Sequence, residues 1–190
     1  MNEEHMKICS SPEWAEYVEN ELLPWALGKQ DLGDDVLEIG PGPGLTTDVL
    51  RRRVAHLTAV EIDPQLAASL ATRLEGTNVE VVCADATSLP FEESRFSSVV
   101  MFTMLHHVPS PELQNQVFAQ ARRVLRPGGL FAGTDSVETT ARWMLHEGDT
   151  YVPVDPSALA PRLDSAGFME IVVEEVADRF RFLARRAPTR

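Results

Sequence analysis

Apolar and polar positions follow two rhythms along this chain. Short apolar runs at residues 36–39, 57–62, 79–84, 98–102 and 130–134 are rich in Val, Ile, Leu and Phe and have the length of buried strands. Helical spacing appears between them. Ser11-Pro12 reads as an N-cap followed by proline at the first helical position, and it opens a helix over residues 13–26 with Trp14, Tyr17, Val18, Leu22 and Trp25 on its apolar side. Asp63-Pro64 repeats that start for a helix to about Leu74, ended by Gly76. Residues 111–125 form another amphipathic helix, stopped by Pro127-Gly128-Gly129. Residues 157–166 read as a last helix, and residues 169–176 and 179–187 alternate as the strands of a closing antiparallel hairpin.

This order predicts an α/β fold with a mostly parallel sheet and helices on both faces. At 190 residues it predicts one domain over residues 1–190, with an N-terminal helical segment over 1–28. The least regular stretch, residues 136–156, holds Trp143, His146 and Tyr151 and reads as a lid or substrate wall. His146 has no recognisable partner there and is given no role.

The first strand runs into Gly40-Pro41-Gly42-Pro43-Gly44, a turn whose glycines let a ligand approach backbone. Glu61 follows about twenty residues later, where an acid at a strand end accepts both hydroxyls of a ribose. Asp85-Ala86 ends the third strand, and a carboxylate there can accept from an exocyclic amine such as that of adenine. Pro41 and Pro43 lack N–H groups that a pyrophosphate would need. Leu45 stands where a dinucleotide fingerprint wants Gly or Ala. Glu38 would repel phosphate but can accept from an ammonium group, directly or through water. Adenine, ribose, a cationic amine and no phosphate describe S-adenosylmethionine.

The chain resembles the class I S-adenosylmethionine-dependent methyltransferases of the small-molecule, type 11-like kind. The residues that carry the likeness are Val36 to Gly44, Ala59-Val60-Glu61-Ile62-Asp63-Pro64, Ala84-Asp85-Ala86, Met104-Leu105-His106-His107-Val108 and Leu125-Arg126-Pro127-Gly128-Gly129-Leu130. The resemblance implies a Rossmann-like, seven-stranded sheet with a C-terminal antiparallel hairpin. It implies that Gly40, Gly42 and Gly44 approach the methionine part, Glu61 the ribose, and Asp85 with Ala86 the adenine, with Glu38, Ile62, Phe102 and Thr103 among the cofactor contacts. Where the family often has Phe-Asp before the fourth strand, this chain has Phe96-Ser97.

Methyl transfer from a sulfonium is an in-line displacement, so alignment and exclusion of water come first and a base is optional. His106 and His107 lie past the fourth strand at the same sheet edge as the glycine turn and are the candidate catalytic residues, against the simpler role of bracing the loop. Asp135 is a second candidate, against a role as a cap. His5 and Tyr17 can cover the site if the N-terminal helix folds over it, although Tyr17 on an apolar stripe suits the core.

Composition narrows the partners. The net charge of −12 disfavours a polyanion, so a small-molecule acceptor is expected and nucleic acid is not. The Glu38 to Gly42 and Ala59 to Asp63 segments also look like the ribosomal RNA adenine dimethyltransferases. Those enzymes carry an Asn-Leu-Pro-Tyr type motif, an added helical domain and a basic surface, whereas this chain has Phe102-Thr103-Met104-Leu105. That substrate is therefore set aside. The two prolines oppose a nicotinamide-dependent dehydrogenase, while a non-catalytic cofactor-binding module stays open. The one basic cluster, Arg179, Arg181, Arg185, Arg186 and Arg190, interleaves with Phe180, Phe182 and Ala184 as the solvated face of a strand. Cys9 and Cys83 form no CxxC pair, so neither a metal site nor a disulfide is expected, and Cys83 is expected in the core. With no membrane-length apolar run and no basic leader, the chain is expected in the cytoplasm, with no membrane partner. Its oligomeric state is not legible.

Overall fold

The computed structural model describes residues 2–188. In chain order, α1 (Glu3–Cys9) precedes α2 (Pro12–Tyr17), a π-helical turn (Val18–Leu22) and α3 (Leu23–Leu27). Then come β1 (Asp35–Ile39), α4 (Leu45–Leu50), β2 (His56–Glu61), α5 (Pro64–Arg73), β3 (Val79–Cys83) and β4 (Phe96–Phe102). A short 3₁₀ turn (Leu105–His107) leads to α6 (Pro111–Val124), β5 (Leu125–Ser136), α7 (Thr140–Leu145), α8 (Pro156–Ser165), β6 (Phe168–Val176) and β7 (Arg179–Arg186).

The seven strands form one sheet in the order β3-β2-β1-β4-β5-β7-β6. The first five are parallel, and β7 pairs antiparallel with both β5 and β6. The expected fold class is therefore present. Because β1 lies between β2 and β4, the order reverses beside it, and a crevice opens at the carboxyl ends of these strands.

Both faces of the central strands are covered. Leu37, Ile39, Val99, Met101 and Phe131 point into a core closed by Val117, Phe118 and Ala121 of α6 and Leu159 and Leu163 of α8. Val36, Val100, Leu130 and Ala132 point the other way, against Leu22, Leu23 and Ala26 and against Val49 and Leu50 of α4. That is why these strands read as unbroken apolar runs.

The N-terminal helix differs from the expectation in its middle. Leu23 donates to the Val18 carbonyl five residues back, and Pro24 has no N–H to continue an α-helical ladder, so one widened turn takes up the break. Cys83 is exposed and not in the core, because β3 is an edge strand whose pattern is half-buried along its length. The arginines of β7 are not a solvated face either. Arg186 donates to the carbonyls of Arg122 and Arg123 in the last turn of α6 and of Leu125 at the start of β5, while Arg181 reaches Glu174 and the Trp25 carbonyl. Arg185 bonds the Gly128 carbonyl and Gln30, and Arg179 bonds Asp178. Arg190 lies outside the described residues. Phe180, Phe182 and Ala184 are buried between them, as the alternation predicts.

Phe131 is fully buried and its ring meets those of Phe118, Phe168 and Phe182. Phe131→Ala should cost about 3–5 kcal/mol of stability through lost transfer energy and a cavity. Met169→Ala on the exposed side of β6 should cost less than about 1 kcal/mol. Urea unfolding of the two variants measures this difference.

Candidate functional site

The crevice is a cavity of about 610 Å³, within the range of about 300–1,000 Å³ usual for small-molecule sites. Four strand ends converge on it: Gly40 after β1, Glu61 of β2, Asp85 after β3, and Phe102 with Thr103 at the end of β4. Ile62, Ala86, Val108 and Leu113 supply apolar walls. Ile62 is 66 % exposed, an apolar side chain left at the cavity mouth where a flat base can cover it.

The glycine turn is held from below. Gly40 N–H donates to the Val60 carbonyl (2.8 Å), Gly42 N–H to Glu61 Oε2 (3.0 Å) and Gly44 N–H to the Pro41 carbonyl (2.9 Å). With Pro41 and Pro43 lacking N–H groups, the turn has no free donor for phosphate. Gly40 has φ of 68°, and a Cβ there would meet the Met104 side chain at 2.9 Å. Gly44 does not line the cavity. At φ 87° it caps α4, and a Cβ would strike Leu70 at 2.3 Å.

Glu61 is buried at the end of β2, and its second oxygen accepts from Asp63 N–H at 3.0 Å. Asp63 in turn caps α5 through Gln65 and Leu66 N–H. Asp85 is exposed at the rim, with Oδ1 accepting from the Thr87 backbone and hydroxyl (2.8 Å each). Thr103 holds φ of 51°, a strained value for a β-branched residue, and its N–H bonds the Thr134 carbonyl (2.9 Å).

Glu38 sits lower than expected. It does not line the cavity; its carboxylate accepts from the hydroxyls of Thr46, which does, and Thr47 (2.6 Å). Complete burial pushes the Glu38 carboxyl up to about 7 against the pull of the two hydroxyls.

The structure separates the two candidate catalytic histidines. His106 is turned inward: its Nδ1 lies 2.5 Å from Asp135 Oδ1, its N–H donates to Asp135 Oδ2 (3.1 Å), and it does not reach the cavity. Asp135, 1 % exposed, also accepts from Ser136 N–H (2.7 Å). Burial alone would raise the Asp135 carboxyl, but the His106 ring and the backbone donors hold it low. His107 lines the cavity, with Nδ1 donating to the Thr150 carbonyl at 3.1 Å. Burial, then the neighbouring His106 and His5 rings, lower its basicity and keep it neutral.

Of the residues around His107, sequence reading offered His5 as a cover and 136–156 as a wall, but gave His146 no role. Helix α1 brings His5, Met6 and Cys9 onto the cavity, beside Trp14 of α2 and Asp149 and Thr150 of the 136–156 stretch. His146, at the end of α7, is buried against His5 and His107. No local spacing joins positions 5, 107 and 146, so only the fold reveals them. Tyr17 stays outside the cavity, its ring tilted against that of Trp14 and packed on the core that holds Leu22, Leu23 and Val100.

Comparison with known proteins gives this arrangement a family. Residues 37–133, about half the chain, match the model of a methyltransferase domain (Methyltransf_11), and the chain belongs to that family. The family's fold is the class I methyltransferase fold, and its cofactor is S-adenosylmethionine. Among curated relatives, "Ribosomal RNA small subunit methyltransferase A" of Leptothrix cholodnii is 34% identical over 152 residues (70% of this chain, 55% of that one). "Ubiquinone biosynthesis O-methyltransferase" of Xylella fastidiosa is 33% identical over 117 residues (60% and 46%). The chain spans between about a quarter and six tenths of the length of the curated relatives it matches. The complex of the Haloferax volcanii Trm112 methyltransferase activator with a methyltransferase shares the fold (TM-score 0.79, 14% identity, 100% of this chain and 99% of that one). So does Haemonchus contortus phosphoethanolamine N-methyltransferase 2 in complex with S-adenosyl-L-methionine (TM-score 0.73, 13% identity, 98% and 60%).

The relatives correct one expectation. Nucleic acid was excluded as a partner on charge, yet several relatives are named for ribosomal RNA. The exclusion fails physically because net charge sums the whole chain, whereas a contact surface depends on local charge. Among the described residues, no helix is long and apolar enough to cross a membrane.

The buried Glu38 carboxyl yields a pH test. A carboxyl raised on folding contributes fully below its unfolded value of 4.5 and loses that contribution as pH rises through about 7. The shift corresponds to up to about 3 kcal/mol. Relative to wild type, Glu38→Gln should therefore gain stability between pH 5 and pH 8, by roughly 2–3 kcal/mol. Urea unfolding at the two pH values reads this directly, and a pH-independent difference would contradict the burial argument.

Proposed function

We propose that the chain transfers the methyl group of S-adenosylmethionine to a small acceptor bound at the His107 end of the cavity. The single observation that carries this reading is the covered shape of that end. His5, Met6 and Trp14 of the N-terminal helices line it together with Asp149 and Thr150. Asn2, the cap of α1, ties the two segments by donating to Asp149 (3.1 Å) and the Leu145 carbonyl (2.8 Å), which favours a small group over an extended polymer. Residues 136–156 then act as a substrate wall.

When bound, the cofactor supplies an electrophilic methyl on a sulfonium. The protein's part is positional. Glu61 receives the ribose hydroxyls, Asp85 the adenine amine, Ile62 and Ala86 the base, and Gly40 and Gly42 the methionine part, along Phe102 and Thr103. Glu38 acts through Thr46 and not by direct contact, and Gly44 sets the turn. His107 meets the acceptor and offers a neutral lone pair there, while His106 is a positioning residue that ties the loop to Asp135. The apolar walls exclude water from the reacting atoms. A cytoplasmic location belongs to the same proposal, supported by the exposed free thiol of Cys83.

A second reading, methylation of an RNA base, is favoured by the names of the relatives. It differs in acceptor only. Release of S-adenosylhomocysteine in the presence of hydroxyl-bearing aromatic metabolites, or of ribosomal RNA, separates the two, and no release with any acceptor would leave a binding module.

Two variants test the roles. Glu61→Ala should weaken S-adenosylhomocysteine binding by at least about 2 kcal/mol, roughly thirtyfold, with Glu61→Gln intermediate, as read by calorimetry. His107→Gln should lower turnover by on the order of a hundredfold while cofactor affinity holds. His106→Gln should instead reduce stability and cofactor affinity together.

A further inference from the structure

Three imidazoles from distant parts of the chain meet in the wall of the cavity. His5 comes from α1, His107 from the turn after β4 and His146 from the end of α7, and one ring nitrogen from each lies within 4.8 Å of the others. Such a gathering is costly unless something binds it. His5 and His146 are 8 % and 3 % exposed, and all three rings are held neutral, chiefly by burial. Core packing would use apolar rings instead.

The hydrogen bonds set which lone pairs are free. His146 Nδ1 donates to the Arg142 carbonyl (2.7 Å), and His107 Nδ1 donates to the Thr150 carbonyl (3.1 Å). Each ring therefore has its proton on Nδ1 and a bare lone pair on Nε2. This is the second-shell arrangement of metal-bound histidine, in which a backbone carbonyl fixes the tautomer and the ring direction. His146 Nε2 and His5 Nδ1 are buried with no hydrogen-bond partner among the described residues. Two buried ring nitrogens without partners and a third imidazole within 4.8 Å of them share a need that one cation meets. The Asp149 carboxylate, 3.9 Å from His107 Nδ1, adds negative charge at the edge of the group.

We infer that His5, His107 and His146 form a three-imidazole site for a divalent transition-metal ion of the zinc class. Imidazole ligands select zinc and its neighbours over magnesium or calcium, which prefer oxygen. At Zn–N distances of about 2.0–2.1 Å the ligand nitrogens lie roughly 3.4 Å apart, so binding draws the rings together by side-chain rotation. His5 and His107 also line the cavity, which puts the ion in its wall with a position left for a fourth ligand. The ion would clamp α1 and the 136–156 stretch to the loop after β4. The Nε2 lone pair of His107 serves one partner at a time, so in the loaded protein the ion takes it in place of the acceptor contact proposed above for the metal-free chain. Metal binding itself does not depend on methyl transfer.

The test uses the full chain, freed of metal by chelator and titrated with Zn²⁺ by calorimetry and with Co²⁺ by visible absorption. One equivalent should bind, and Co²⁺ should give the d–d bands of a nitrogen and oxygen site without thiolate charge transfer. His5→Gln and His146→Gln should each weaken Zn²⁺ at least tenfold. His56→Gln, whose ring is exposed at the start of β2, should bind as wild type. S-adenosylhomocysteine affinity, measured separately, reports whether each variant is folded and whether the cofactor reading stands. Absence of stoichiometric binding by wild type would overturn the site and assign the orphaned nitrogens to water. Thiolate bands, or wild-type affinity in both His5→Gln and His146→Gln, would equally overturn it.

Discussion

The site depends on one buried carboxylate. Glu61 ends β2 at 6 % exposure, with one oxygen on Gly42 N–H and the other on Asp63 N–H. These bonds join three things that sequence keeps apart: the glycine turn after β1, the end of β2 and the start of α5. A carboxyl group so buried is tolerable only because the two backbone donors meet its oxygens. Glu61 also lines the cavity, and the two backbone bonds fix its carboxyl group there, so the group that would hold ribose is oriented before any ligand arrives.

Two other buried acids support the same crevice by different means. Glu38 lies under the turn and takes the Thr46 and Thr47 hydroxyls, fixing the first turn of α4 at the cost of a raised pKa. Asp135 lies under the loop after β4 and takes the ring and backbone of His106. Glu38 and Asp135 therefore lie beneath the cavity, whereas Glu61, Asp63, Asp85 and Asp149 line it. His5 and His107, whose rings are kept neutral chiefly by burial, line the same cavity from α1 and from the turn after β4.

Much of this was legible from residue order. The apolar runs located the five parallel strands because the central ones are covered on both faces and the edge strand β3 keeps an apolar sequence. The spacing from Gly40 to Glu61 located the ribose end because a strand-turn-helix unit has a fixed length. What escaped was set by contacts distant in sequence. His106 and His107 are adjacent and chemically identical, and only Asp135 and Thr150 decide which turns inward. The burial of His146 depends on α1, a seven-residue helix whose few polar and apolar residues carry no clear period. Cys83 looked buried because its run is apolar, yet an edge strand loses cover on one side. Arg186 looked solvated because its strand alternates, yet its side chain reaches the carbonyls in the last turn of α6. The charge argument against nucleic acid failed for the related reason that composition carries no positions.

The central claim is that the crevice beside β1 is an S-adenosylmethionine site built around Glu61. A crystal structure of the chain with S-adenosylhomocysteine tests it most directly. The account predicts ribose hydroxyls on the Glu61 carboxylate, adenine between Ile62 and Ala86 with its amine toward Asp85, and the sulfur facing the His107 end. A ligand bound elsewhere, or bound in the crevice with Glu61 still engaged only by Gly42 and Asp63, would contradict it.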